Sequence, residues 1–92
     1  MSTENILGGW SEYTAPISAE DMKVFNEAVQ GLLGVHYTPV AVAKQVVAGM
    51  NYSFFCNKKG VYPGALNEAA TVLIYFPPSG TPHIVSITNV PR

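Results

Sequence analysis

Apolar positions along the chain follow two different periods, and the change comes near residue 34. Met22, Phe25, Val29 and Leu32 recur at helical spacing with Ala28 and Leu33 beside them, while Lys23, Asn26, Glu27 and Gln30 take the opposite side. That spacing predicts an amphipathic helix beginning after Ser18. Ser18 can cap it, Asp21 stands where a capping box places its acid, and Glu20 complements the positive helix end. Gly34 is the expected stop, followed by β-branched residues and Pro39. Gly31 inside the stretch costs about 1 kcal/mol relative to alanine. It reads as a close-contact position or an early fray.

Beyond the helix the pattern is that of strands. Val40 to Val47 alternates valine with alanine, lysine and glutamine, and Met50 to Cys56 is rich in aromatic residues. Ala70 to Phe76 and Ile84 to Val90 are two β-branched runs. Asn57-Lys58-Lys59-Gly60 and Pro77-Pro78-Ser79-Gly80 have turn chemistry, and Val61 to Glu68, with Tyr62-Pro63-Gly64, reads as a surface loop. Short links favour antiparallel pairing. The expectation is an α+β domain with one helix packed across an antiparallel sheet of four to five strands. No repeat or linker divides residues 1–92.

Composition narrows the chemistry. The chain is 48% hydrophobic and 12% charged, which suits a packed core rather than a disordered polymer. Net charge is −1, and Lys58-Lys59 is the only adjacent basic pair, so nucleic acid is a poor partner. No run approaches the ~18 apolar residues of a membrane span, and no membrane partner is expected. The single cysteine, Cys56, forms no internal disulfide. Residues 1–5 are polar, without the charged and apolar regions of a secretion signal, so a cytoplasmic setting is the expectation unless a leader has been removed. Asn51-Tyr52-Ser53 fits a glycosylation sequon that such a setting leaves unused.

One segment is chemically out of place. Gln45-Val46-Val47-Ala48-Gly49 lies where two strand patterns meet, and Gly49 can take the positive φ of a tight reversal. A hairpin tip is normally polar, yet this one offers two valines and an alanine. An apolar tip is a surface for a partner, unless Val46 and Val47 still belong to the strand and face the core.

Gln45 to Gly49 matches the Gln-Val-Val-Ala-Gly signature of cystatins, and Asn51-Tyr52 continues the pattern of their stefin branch. Gly8-Gly9-Trp10-Ser11-Glu12 is similar to the Gly-Gly-Leu-Ser-Glu opening of some stefins. The resemblance spans Leu7 to Val90 in order and length. It implies a cystatin-like fold with a flexible N-terminal trunk (residues 1–8) and a reversible, tight-binding inhibitor of papain-like, cathepsin-type cysteine proteases. In that family the trunk and two hairpin tips fill the protease cleft. By matching positions, Leu7 and Ile6 would enter the substrate-side pockets ahead of Gly8, with Gly8 and Gly9 also at the protease, and Gln45, Val46, Val47, Ala48 and Gly49 would sit beside the catalytic cysteine. Pro78, Ser79, Gly80, Thr81, Pro82 and His83 would contact the primed side. The second tip departs from the pattern: Pro78-Ser79-Gly80 replaces the Pro-Trp of secreted cystatins and the Leu-Pro-Gly of stefins. The resemblance also implies a monomer able to form a domain-swapped dimer by opening at the first hairpin. A strained Val46-Val47-Ala48 hinge would favour the exchange.

Two other readings compete. An enzyme would use Cys56 with His36 or His83, but Cys56 shares a strand face with Tyr52 and Phe54, where a buried, inert thiol is the default. No catalytic activity or cofactor is therefore expected, and two histidines and one cysteine make no metal signature. The alternative is a non-inhibitory cystatin-fold module binding some other protein. Trp10, the only tryptophan, is expected to cover the core where the N-terminal segment enters.

Overall fold

The computed structural model describes residues 9–91. One helix, α1 (Ala19–Val29), is followed by four strands, β1 (Val35–Val47), β2 (Gly49–Gly60), β3 (Asn67–Phe76) and β4 (His83–Val90). The strands form one antiparallel sheet in the order β1-β2-β3-β4, and α1 packs against it. This is the expected α+β arrangement.

Helix α1 starts as its sequence directs. Ser18 Oγ accepts the Asp21 N–H at 3.1 Å, and Glu20 and Asp21 occupy the first turn. It ends sooner than expected. Gly31 has φ +94°, so the stretch breaks after Val29, and Leu32 and Leu33 leave the helix altogether. The inward stripe is also rotated from the expected one. Asp21, Val24 and Phe25 are buried, Ala28 and Val29 pack partly, and Met22 is only half-buried. The rotation has a polar cause: Asp21 pairs with Lys44 of β1 at 3.1 Å, which lets a carboxylate occupy the inner face.

The core is one cluster built from α1 and one face of the sheet: Val24, Phe25, Val42, Tyr52, Phe54, Cys56, Val72 and Ile74. Phe25 meets Phe54 edge-on at 4.9 Å, and Tyr52 stacks beside Phe54 at 5.9 Å. Alternation along β2 and β3 places Tyr52, Phe54, Cys56, Ala70, Val72 and Ile74 inward.

Strand boundaries run past the turn signals. Asn57 to Gly60 is the end of β2, paired with residues 35–38 of β1, not a turn. Pro39 lies within β1, beside a register shift between Pro39 and Ala41. The reversal is made by residues 61–66, and Asn67 and Glu68 already belong to β3. A fifth regular strand is absent among the described residues; instead Trp10 and Thr14 form isolated bridges to Gln45 and Val42 on the outer edge of β1.

Candidate functional site

Up-and-down topology fixes what each end of the sheet carries. The β1–β2 and β3–β4 connections fall at one end, and the N-terminal segment, antiparallel to β1, has its Trp10 side at that same end and runs away from it. Three segments therefore converge there.

The first is the β1–β2 tip. Gln45 pairs with Asn51, Val46 with Met50 and Val47 with Gly49, which leaves Ala48 alone at the apex. Gly49 has φ +93° and makes the reversal. No non-glycine residue described has positive φ, so Val46-Val47-Ala48 carries no left-handed strain, contrary to the hinge expectation. Val46 and Val47 do belong to β1, yet they do not enter the core: Val46 and Ala48 are exposed and Val47 is half-buried. Beneath them, Asn51 Nδ2 donates to Gln45 Oε1 at 2.8 Å, tying the two strands across the base of the tip.

The second segment, residues 77–82, lies against the first. A Cβ added to Gly49 would overlap the Phe76 carbonyl oxygen and stand 3.1 Å from Pro77 Cα and from Pro78 Cδ. The Tyr75 hydroxyl donates to the Ala48 carbonyl, and the Tyr75 ring meets His83 edge-on at 5.7 Å. The two turns are thus held side by side by backbone packing and one phenol. Pro78, Ser79, Gly80, Thr81 and His83 are exposed. Pro82 is buried, so its side chain supports the turn rather than offering surface.

The third segment follows the edge of β1. Ser11 N–H donates to the Lys44 carbonyl at 2.8 Å, Lys44 N–H to Ser11 Oγ at 2.8 Å, and Thr14 and Val42 exchange backbone bonds at 2.9 and 3.1 Å. This brings half-buried Gly9 to the level of the β1–β2 tip. Ile6, Leu7 and Gly8 lie outside the described residues. Trp10 is exposed, and its surroundings differ from expectation. It lines a concavity of about 390 Å³ with Tyr13, Ala43, Ser53 and Leu73, on the sheet face away from α1.

The residues of the rival enzyme reading are not brought together. Cys56 is fully buried, and burial pushes its thiol up to about 12, so it presents no thiolate near neutral pH. His36 and His83 are exposed, near opposite ends of the sheet. Among the described residues no three His, Cys, Asp or Glu side chains form a metal-ligand group, and no helix is long and apolar enough to cross a membrane.

Sequence reasoning missed the residues that hold the edge together. Tyr75 stood in a β-branched run with nothing to mark its hydroxyl, and Phe76 and Pro77 act through backbone atoms. Asn51 was visible as the residue opposite Gln45 only once the hairpin register is known. No protein-family model matches the chain, and neither the curated proteins nor the solved structures compared with it give a match.

Proposed function

We propose that the three-segment edge is a wedge that enters the active-site cleft of papain-like cysteine proteases and inhibits them reversibly. The observation that carries this reading is the seating of Gly49 against Phe76, Pro77 and Pro78, which makes two exposed turns one rigid, mostly apolar ridge. The resemblance at Gln45 to Gly49 supplies the kind of partner.

The chemistry is exclusion. Valine and alanine lose little rotamer entropy on burial, and a preorganised hairpin lowers the ordering cost of association. Each aliphatic side chain fully buried in a cleft contributes about 1.5–3 kcal/mol. A glycine at position 8 would let the chain pass close to the enzyme and turn away, so that no peptide bond is presented for attack. With a net charge of −1, association gains little from electrostatic steering.

Titration of papain with the protein tests the proposal. Activity should fall stoichiometrically, and Val47→Asp and removal of residues 1–8 should each raise the inhibition constant, the former roughly 10–100-fold. No inhibition at micromolar protein would overturn the reading. With the fold intact, that outcome leaves a binding module for some other protein.

A further inference from the structure

On the sheet face away from α1, the N-terminal segment does more than line the edge of β1. The Thr14 bridge to Val42 and the Ser11 bonds to Lys44 hold residues 11–14 alongside that strand. From there the Tyr13 hydroxyl reaches β2 and meets Ser53 Oγ at 2.6 Å, so its ring spans β1 beside the small Ala43, the partner of Ser53 in the ladder. Trp10 and Tyr13, 39% and 50% exposed, thereby wall one side of the concavity of about 390 Å³. Strand pairing supplies the rest. Ser53, Leu73 and Ser86 share one rung, and Thr71 and Thr88 share the next on the same face. From this arrangement we propose that the concavity binds a neutral saccharide, its ring against Trp10 and Tyr13 and its hydroxyls on the serines and threonines.

The lining decides the chemistry of the ligand. Serine and threonine hydroxyls both donate and accept. Those of Ser86 and Thr88 are exposed and take no partner among the described residues. Thr71 Oγ1 donates to the Thr88 carbonyl at 3.4 Å and keeps its acceptor sites. No charged side chain lines the concavity, and Glu12, between Ser11 and Tyr13 in the chain, is not part of its wall. A charged ligand would therefore lose water without gaining a counter-charge. A purely apolar one would cover these hydroxyls and leave them unpaired.

A sugar avoids both costs. Its C–H face suits an aromatic ring, whose π-face is negative, and its rim of hydroxyls meets groups that donate and accept. A peptide would instead hydrogen-bond along a strand edge, whereas these hydroxyls stand on the face of the sheet. The volume lies toward the lower end of the range for small-ligand sites, about 300–1,000 Å³, so a short sugar fills it. Neither Gln45 to Gly49 nor Pro78 to His83 contributes to the lining, so the site is separate from the wedge.

Trp10 is the only tryptophan, so its fluorescence reports on the site. Titration of the full chain with cellobiose, maltose, lactose and N,N′-diacetylchitobiose should shift its emission saturably with at least one of them in the millimolar range. Thr71→Val with Thr88→Val keeps the β-branched shape and should weaken that binding by about tenfold or more, at a urea midpoint close to the original. Ser86→Ala, on the exposed edge strand, should weaken it about threefold or more. Trp10→Ala should abolish saturation transfer from protein to sugar in NMR spectra. Papain titration of the double valine variant should match the original chain, so failure here is distinct from failure of the wedge. No saturable shift with any of these sugars, or equal binding by the double valine and Ser86→Ala variants, would overturn the proposal. Toluene bound more tightly than every sugar, and retained by the double valine variant, would give the concavity to an apolar ligand instead.

Discussion

Gly49→Ala should separate the two turns of the wedge, and Gly31→Ala provides its internal control. Both glycines hold nearly the same left-handed backbone, φ +93° and +94°, so both substitutions carry the same conformational cost of about 1–2 kcal/mol. Their surroundings differ completely. At position 31 the new methyl meets open space. At position 49 it overlaps the Phe76 carbonyl and crowds Pro77 and Pro78. Those are backbone and ring atoms that cannot rotate away, so the second turn must shift, at roughly 1–3 kcal/mol more. Urea unfolding should place Gly49→Ala below Gly31→Ala by that difference, and melting should follow at roughly 4–8 °C per kcal/mol for a domain of this size. Papain inhibition should weaken only for Gly49→Ala, because only there does the ridge lose its shape. Equal destabilisation by both variants would refute the claim that backbone packing locks the turns together.

Other perturbations probe separate parts of the molecule. Tyr75→Phe removes the donor to the Ala48 carbonyl while keeping the ring beside His83, and should cost about 0.5–1.5 kcal/mol in urea unfolding and loosen inhibition; unchanged values on both counts would deny the phenol its role. Ser18→Ala should cost about 1 kcal/mol through loss of the cap on α1 without altering papain affinity. Cys56 titrates near its ordinary value of 9.0 when unfolded and is held up to about 12 when folded, so its contribution is intact below pH 9 and lost as pH rises through that window. Stability should therefore fall above pH 9 by at most about 1.4 kcal/mol per pH unit from this group, a component absent in Cys56→Ala. A domain-swapped dimer opened at Ala48 should not inhibit papain, since the tip straightens into continuous strand; a gel-filtered dimer as active as the monomer would refute this.

The class of the fold was legible because its period-2 and helical patterns rest on burial, and burial follows side-chain chemistry. The helix was legible at its start, where Ser18 acts locally, and misread at its end and on its inner face. Leu32 and Leu33 looked like one more turn of an apolar stripe, but a left-handed Gly31 ends the helix first. Asp21 read only as a capping acid, because its partner, Lys44, is 23 positions away and meets it only in the folded chain. Likewise Asn57 to Gly60 has turn composition, yet the ladder with residues 35–38 keeps it extended. Of the candidate edge, the tip was readable as residues. Its bracing was not, because it depends on the Phe76 carbonyl, the Pro77 Cα and register, none of which leaves a mark in side-chain pattern.

Chain order also decides which connections share an end of the sheet. In an up-and-down sheet successive connections alternate between ends, so the β1–β2 and β3–β4 turns must share one end. The α1–β1 and β2–β3 loops must share the other. Val46, Val47 and Ala48 are therefore gathered with Pro78 to Thr81, and Leu32 and Leu33 with Val61, Tyr62 and Leu66, by chain order alone. Neither group reaches the core, because each lies past the last rung that α1 covers or turns outward at it. Cβ-free positions then set the character of each end. Gly49 is crowded, so its end is a fixed ridge able to fill a cleft of given shape. At the other end Gly31, Gly34 and Gly64 are unhindered, while the Tyr62 ring lies against Gly60 and the Val61 N–H bonds the Gly34 carbonyl, so the two loops there meet without backbone crowding like that at Gly49. The Gly31→Ala and Gly49→Ala pair tests this contrast directly, since one backbone angle is placed in two surroundings.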